Sequence, residues 1–330
     1  MDKIKRNILL ISILFVVLIF SAINTLNLIN ERNYKKPVVY LVLKTINPNI
    51  EFWESVKKGA ELASVEFEVD VIVEGAIDET NVEVQDEILE EIIKKKPKAI
   101  VLAVTDYKKI QPVAEKILEE GITLVTIDSD VKTDYKHSFV ATNNTLAAKK
   151  AGKEMARILG EKGQVAVMTH FYASTTAKER EQGFRQELES YKDIKVIDKT
   201  WYCNSDVNLA YQKTLSILKE HPEVNGIFGS NEVAILGIAK AISDKGLSNK
   251  IKLIGFDSNP EVVQLIEEDV IDAVMVQRPF NMGYIGIKKA VEETKDRRKQ
   301  KEFIDTGCVL ITKESVYEPE NQKLIFPFSK

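Results

Sequence analysis

From Pro37 onward, short β-branched runs alternate with stretches of helical period, the pattern of a parallel sheet covered by helices. Val38 to Leu43 reads as a strand, and Phe52 to Glu66 as a helix with Val56, Ala60 and Ala63 on one face. The unit repeats, with strands at Val69 to Val73, Ala99 to Val104, Thr123 to Ile127 and Ser138 to Ala141 and helices over Val82 to Lys95 and Tyr107 to Glu119. Asn143 and Asn144 are good caps for a helix that reaches Leu159. The motif then starts again, with strands at Gln164 to Met168, Lys195 to Thr200, Gly226 to Phe228, Lys252 to Phe256 and Ala273 to Gln277. The helices between them cover Lys178 to Glu189, Val207 to Glu220, a stretch after Asn231, and Val262 to Glu267. A last helix, Met282 to Glu293, and a charged loop, Lys295 to Glu302, precede a final strand near Phe303 to Leu310. The pattern predicts an α/β fold of two similar halves. Open α/β sheets bind ligands beyond the carboxyl ends of their strands, so two facing sheets would share one cleft.

Ahead of this lies a different pattern. Lys3, Lys5 and Arg6 precede an uncharged stretch from Asn7 to Asn30, apolar mainly from Ile8 to Ile23, close to the ~20 residues a bilayer span needs. Ser21 and Ala22 make a poor signal-peptidase site, so an uncleaved transmembrane anchor is the expectation and a cleaved signal the competing reading. The first cysteine is Cys203, which excludes a lipid-modified cysteine just after the apolar run. Arg32, Lys35 and Lys36 balance the basic residues before the span, so charge does not set the orientation.

Composition narrows the function. A length of 330 residues, 44% of them hydrophobic, suits two lobes better than one. The net charge of −4 offers no field for a phosphate backbone, which argues against nucleic acid as a partner. Cys203 and Cys308 are far apart, and His137, His170 and His221 are dispersed, so neither a disulfide framework nor a metal site is expected. No cofactor is expected either.

The residues that follow the predicted strands form a short list: Asn47, Asn49 and Trp53, then Thr105, Asp106 and Asp128, and in the second half Trp201, Tyr202, Asn204, Asn231, Asp257 and Gln277. Planar polar groups grip neighbouring hydroxyls, and an aromatic ring covers the C–H face of a pyranose. Each has a plainer reading: the tryptophans could be core, and Asn231 and Asn259 could be helix caps. Their convergence from both halves on one crevice is what favours a ligand site. Asp106, Asp128 and Asp257 could supply carboxylates for glycosidic cleavage, but nothing singles out a pair. The nucleophile elbow, phosphate loop and dinucleotide fingerprint are all missing, so an enzyme is not expected.

A family resemblance adds to this list. Phe52-Trp53-Glu54-Ser55-Val56-Lys57-Lys58-Gly59, Thr126-Ile127-Asp128, Lys178-Glu179-Arg180 with Gly183-Phe184, His221-Pro222-Glu223-Val224, Ser230-Asn231-Glu232, Gly255-Phe256-Asp257 and Val276-Gln277 follow in the order and spacing of a known group. Over residues 38 to 310 the chain resembles the ribose-binding-protein family of type I periplasmic binding proteins. The resemblance implies two Rossmann-like lobes joined by three crossovers, near Ala141 to Asn143, Gln277 to Phe280 and Asp305 to Cys308. The N-terminal pattern sets residues 1–36 apart as cytoplasmic tip, anchor and linker, and the resemblance implies 37–142 with 278–308 as the first lobe and 143–277 with 309–330 as the second.

By the same resemblance Phe52 and Trp53 stack on a sugar, Asp128 accepts from hydroxyls, Arg180 donates, and Asn231, Asp257 and Gln277 are polar ligands. A surface ion pair of Arg180 with Glu179 or Glu181 is the competing reading. Three departures suggest a sugar other than ribose. Ser129 stands where the family has arginine, Ile50 and Glu51 replace an asparagine, and the second lobe's aromatic falls at Asn204 unless Trp201 or Tyr202 shifts into its place. The anchor makes the chain similar to membrane-anchored xylose-binding sensors of two-component systems. That implies D-xylose, a histidine kinase partner, an extracytoplasmic binding domain on a single-pass protein, and a homodimer as one option within the sensor complex. The alternative is the binding component of an ABC sugar importer, with a permease as partner.

Overall fold

The computed structural model describes residues 15–21, 36–248, 250–296 and 302–326. Residues 1–37 and 38–330 form separate units. In the first, residues 15–21 are helical (α1) with exposed side chains, and the rest of the predicted anchor, Ile8 to Ile23, lies outside the described residues. Among the described residues, no helix is long and apolar enough to cross a membrane.

The second unit opens with β1 (Val38–Leu43), α2 (Glu51–Glu66), β2 (Asp70–Gly75), α3 (Val82–Lys94), β3 (Ala99–Leu102), α4 (Gln111–Glu119), β4 (Thr123–Ile127) and β5 (Ser138–Ala141). It continues through α5 (Asn144–Ile158), β6 (Lys162–Thr169), α6 (Thr175–Leu188), β7 (Asp193–Tyr202), α7 (Val207–Glu220), β8 (Gly226–Gly229), α8 (Glu232–Asp244), β9 (Lys252–Phe256), α9 (Pro260–Glu267) and β10 (Ala273–Gln277). It closes with α10 (Pro279–Lys295), β11 (Glu302–Asp305), β12 (Cys308–Thr312) and α11 (Pro319–Ile325).

The strands form two six-stranded sheets, ordered β11-β5-β4-β3-β1-β2 and β12-β10-β9-β8-β6-β7. The order is the same in both, and every pairing is parallel except β10 with β12. Strand side chains alternate between two cores, as a sheet covered on both faces requires. Leu41, Val101 and Val125 enter one cluster of the first sheet while Val42, Ile100 and Leu124 enter another. In the second sheet Met168, Leu253 and Val274 face one cluster, and Val167, Ile254 and Met275 the other.

The order of each sheet reverses direction next to its first strand, between β1 and β3 and between β6 and β8. A crevice forms at such switch points, so the residues just past these strands occupy the natural ligand position. The chain passes from the first sheet to the second after β5, returns after β10, and leaves again after β11. Asp305 ties two of these passages together, accepting from Asn143 N at 3.0 Å and Gly307 N at 2.8 Å.

On the return, α10 packs along α2 at close range. A Cβ on Gly283 would collide with the Val56 carbonyl oxygen, and one on Gly59 with that of Phe280. The lobes also touch directly: Tyr107 N donates to Ala173 O at 3.2 Å, Asp130 N to Thr175 Oγ1 at 3.2 Å, and Phe171 packs against the core of the first lobe.

Two local expectations need correction. The stretch Phe303 to Leu310 is two strands in different sheets, because the chain turns at Gly307 with φ +77°. The strand expected to stop at Thr200 runs to Tyr202, which turns Trp201 into the buried core of the second lobe.

Candidate functional site

Lys44 follows β1, Asp128 follows β4, His170 follows β6, Asn231 follows β8 and Asp257 follows β9. These side chains, with Phe52, Trp53, Glu79, Thr176, Arg180, Glu232 and Gln277, line one cavity between the lobes. Of the residues chosen from sequence, Phe52, Trp53, Asp128, Arg180, Asn231, Asp257 and Gln277 meet here. Tyr202 and Asn204 do not. Tyr202 lies against Tyr172 in a separate surface pocket, and Asn204 is an exposed turn residue with φ +49°.

On the first-lobe side, Trp53 is buried and meets Phe52 edge to face, ring centroids 4.9 Å apart. The T-shaped pair leaves two ring orientations for a ligand to meet. Beside it Lys44 donates to Asp128 Oδ2 at 2.6 Å, with its ammonium 5.8 Å from the Trp53 ring centre. Both charges are buried, which is tolerable because they are paired. Burial pushes the Glu79 carboxyl up, against the pull of the Lys44 ammonium.

On the second-lobe side, Arg180 is fixed from several directions. Its Nε donates to Asn144 Oδ1 at 2.8 Å, a terminal nitrogen donates to Ser230 O at 2.7 Å, and its plane lies 4.2 Å from the Phe256 ring centre. Asp257 Oδ2 is 3.9 Å away, and its Oδ1 accepts from Gln277 Nε2 at 2.6 Å. Arg180 faces the cavity as the resemblance implied, and the competing surface pairing with Glu179 or Glu181 does not form: Glu179 accepts from Asn144 and Glu181 pairs with Arg185. Asn231 caps α8, accepting from Ala234 N at 2.9 Å, so it is both a cap and a lining residue.

Two neighbours, Glu232 and His170, were not among the residues expected from the sequence. Glu232 accepts from Asn259 Nδ2 at 2.8 Å, and its other oxygen is buried without a protein partner. Burial, with Asp257 nearby, raises its pKa to about 8, so it is a neutral acid at pH 7. His170 sits in a hydroxyl cage, Nδ1 2.9 Å from Ser230 Oγ and Nε2 3.2 Å from Ser174 Oγ. Its pKa is well below the usual value because burial penalises the charged ring. Burial also raises Asp257, opposed by Arg180.

The cavity itself measures about 30 Å³, room for little more than a water, so a sugar-sized guest enters only with the lobes further apart or side chains displaced. A second, wider cavity of about 480 Å³ adjoins it and shares Phe52, Asp257 and Gln277. Among the described residues no cluster has a metal-binding set of ligands. Hydroxyl-binding carboxylates and amides beside aromatic faces are suited to hold a neutral polyol.

Comparison with known proteins gives a consistent picture. The family model described as "Periplasmic binding protein domain" matches residues 39–297. The D-allose-binding periplasmic protein of Escherichia coli K12 is 26% identical over 287 residues, spanning 82% of this chain and 91% of that protein. A carbohydrate transporter solute binding protein from Agrobacterium radiobacter, solved in complex with D-arabinose, superposes with TM-score 0.83 at 28% identity, over 89% of this chain and all of the other (100%). A sugar transporter from Clostridium phytofermentans is 33% identical with TM-score 0.76, over 84% of this chain and 100% of that one.

Proposed function

The chain belongs to the periplasmic binding protein domain family, and on that premise we propose that it captures a monosaccharide between its lobes, outside the cytoplasm, as the solute-binding component of a sugar importer. It is a binding protein and not an enzyme, as its relatives are. The observation that carries the sugar reading is the meeting, in one interlobe cavity, of the Phe52–Trp53 ring pair with Asp128, Arg180, Asn231, Asp257 and Gln277. The relatives named for D-allose and found with D-arabinose support a pyranose-sized polyol.

Each group has a part that follows from its chemistry. The rings cover C–H faces. Asp128 and Asp257 accept from hydroxyls, and Lys44 and Arg180 donate while neutralising them. Gln277 Oε1 and Glu232 Oε2 are both buried without a protein partner; the first can accept from a hydroxyl, and the second, carrying the proton of the neutral acid, can donate to one. Because ligands touch both lobes only when these are together, binding shifts the open and closed populations by its differential affinity. Passages that end strands, such as those around Asp305, absorb the dihedral change.

The transporter names of the relatives support an importer permease as the recipient. A second reading rests on the apolar run Ile8 to Ile23 with no cysteine before Cys203: an anchored sensor that offers its D-xylose-closed form to a membrane histidine kinase. Cross-linking in native membranes separates them by whether a permease or a kinase is recovered. The sugar reading is tested by calorimetry of the full-length protein against pentoses and hexoses, with Trp53→Ala and Asp257→Asn. Binding of a monosaccharide that both variants weaken at least tenfold supports it, and a folded protein that binds none of them overturns it.

A further inference from the structure

The cavity that holds the polar groups does not end at them. Phe52, Asp257 and Gln277 form its wall on one side, and the same three residues line the adjoining cavity of about 480 Å³. That is within the ~300–1,000 Å³ of small-molecule sites, whereas about 30 Å³ is not. Gln277 and Asp257 stand between the two spaces joined by a 2.6 Å hydrogen bond, and the unused Oε1 of Gln277 is buried.

The adjoining cavity has walls from three places. The loop and helix start around Pro48 and Phe52 come from the first lobe, Ser258 and Pro260 come from the second, and Leu324 and Phe326 come from the end of α11. Rings and prolines give flat apolar faces, and Ser258 Oγ is buried with no protein partner. Glu51, Glu54 and Lys58 complete the lining, so the cavity sets apolar faces beside groups that hydrogen-bond hydroxyls. It suits a second sugar ring, which presents C–H patches to apolar walls and hydroxyls to a few polar atoms.

We infer that the interlobe site is the inner half of a longer one, and that its ligand class is a glycoside: a monosaccharide held among Asp128, Arg180 and Asp257, linked past Gln277 to a second ring in the adjoining cavity. The inference rests on the proposed sugar-binding function and extends it to the size of the ligand. Because the second ring touches Pro48 and Phe52 from one lobe and Ser258 from the other, it strengthens closure as well as affinity.

The test is calorimetry of the full-length protein with D-xylose, D-arabinose, D-allose and D-glucose, and with the disaccharides xylobiose and cellobiose. At least one disaccharide is expected to bind tenfold or more tightly than its own monosaccharide. Ser258→Phe, which fills the adjoining cavity, is expected to remove that advantage while the best monosaccharide stays within twofold of wild type. Phe326→Ala, which removes one apolar wall from the far end of the chain, is expected to reduce the same advantage by threefold or more. Monosaccharide binding in each variant reports that it is folded. If monosaccharides bind and disaccharides bind no better, or if Ser258→Phe weakens both alike, the longer site is overturned and the sugar-binding reading stands. If no saccharide binds, both fall together.

Discussion

Asp128 and Asp257 are the same device used twice. Each follows the strand that lies fourth in its half, β4 or β9, and each has left-handed backbone, φ +59° and +71°. Each sends its N–H across to the next strand, Asp128 to Val140 O at 3.0 Å and Asp257 to Met275 O at 2.9 Å. The turn aims both carboxylates into the cleft, where Lys44 meets one and Gln277 with Arg180 meets the other. Aspartate tolerates this conformation better than most side chains, so backbone and chemistry favour the same residue.

That dual role predicts a split between substitutions. Asparagine also accepts left-handed φ, so Asp257→Asn is expected to keep stability within about 1 kcal/mol while weakening sugar binding. Asp257→Ala loses the carboxylate and adds backbone strain of roughly 1–2 kcal/mol, so its urea midpoint falls as well. Equal midpoints for the two variants would contradict the strain argument.

The buried pair of Lys44 and Asp128 predicts strong coupling. Lys44→Met leaves a buried carboxylate without its cation and is expected to cost about 3–5 kcal/mol. Lys44→Met combined with Asp128→Asn removes both charges and is expected to cost clearly less than the sum of the single changes. Denaturant unfolding of the double-mutant cycle measures the difference, and additive costs would rule the coupling out.

Glu232 predicts a direction of pH dependence. Its folded pKa of about 8 lies above the ordinary carboxyl value of 4.5, so between those values the folded protein holds a proton that the unfolded chain has lost. The proton favours folding below 4.5 and through that window, and its benefit declines as pH rises until it is gone above about 8. Raised Asp257 and Glu79 act with the same sign, while His170, whose pKa is lowered, acts oppositely by favouring stability as pH rises through its unfolded value. Glu232→Gln keeps an oxygen for Asn259 and isolates one contribution. Its melting temperature relative to wild type is expected to rise between pH 5 and pH 8.5. A constant difference across that range would mean that Glu232 is ionised in the folded protein at pH 7.

The α2 and α10 crossing predicts intolerance of a single methyl group. Gly283→Ala would press on the Val56 carbonyl, and backbone on backbone has little room to yield. About 2 kcal/mol or more of destabilisation is expected, read from the urea midpoint. Gly121→Ala, with φ +75° but open space around it, carries only conformational strain and is expected to cost less.

The alternation of elements was legible because nearly every central strand is buried on both faces and therefore reads as an unbroken β-branched run. Residues 303–310 misled for the same reason: Phe303 to Ile304 and Cys308 to Leu310 are both apolar, and only Gly307 marks the turn between sheets. In the site, Asp128, Asp257 and Gln277 could be found because they end strands. Lys44 and His170 directly follow β1 and β6 and carry the same positional signal, but neither has the paired acceptors or amide that mark a hydroxyl-binding side chain in sequence. Glu79 and Glu232 carried no such signal. One lies in the loop after β2 and the other in the first turn of α8, where an acidic residue is ordinary. Only the approach of the two lobes gives them their place.

The aromatic residues allow a last discrimination. Strand-end reasoning offered Trp201 and Tyr202 for the second lobe, yet β7 carries Trp201 into the core beside His221 and leaves Tyr202 outside the cleft cavity, against Tyr172. The cleft cavity has Val233 on that side, so the rings that can cover a sugar come from Phe52 and Trp53. Phe52→Ala removes a partly exposed ring at the junction of both cavities and is expected to weaken sugar binding roughly 10- to 100-fold, the equivalent of about 1.5–3 kcal/mol of buried aromatic contact. Tyr202→Ala is expected to leave affinity within twofold. Calorimetry on the two variants decides the matter: a large loss in Tyr202→Ala would mean that the bound form brings β7 to the ligand, and that the sugar is covered from both lobes.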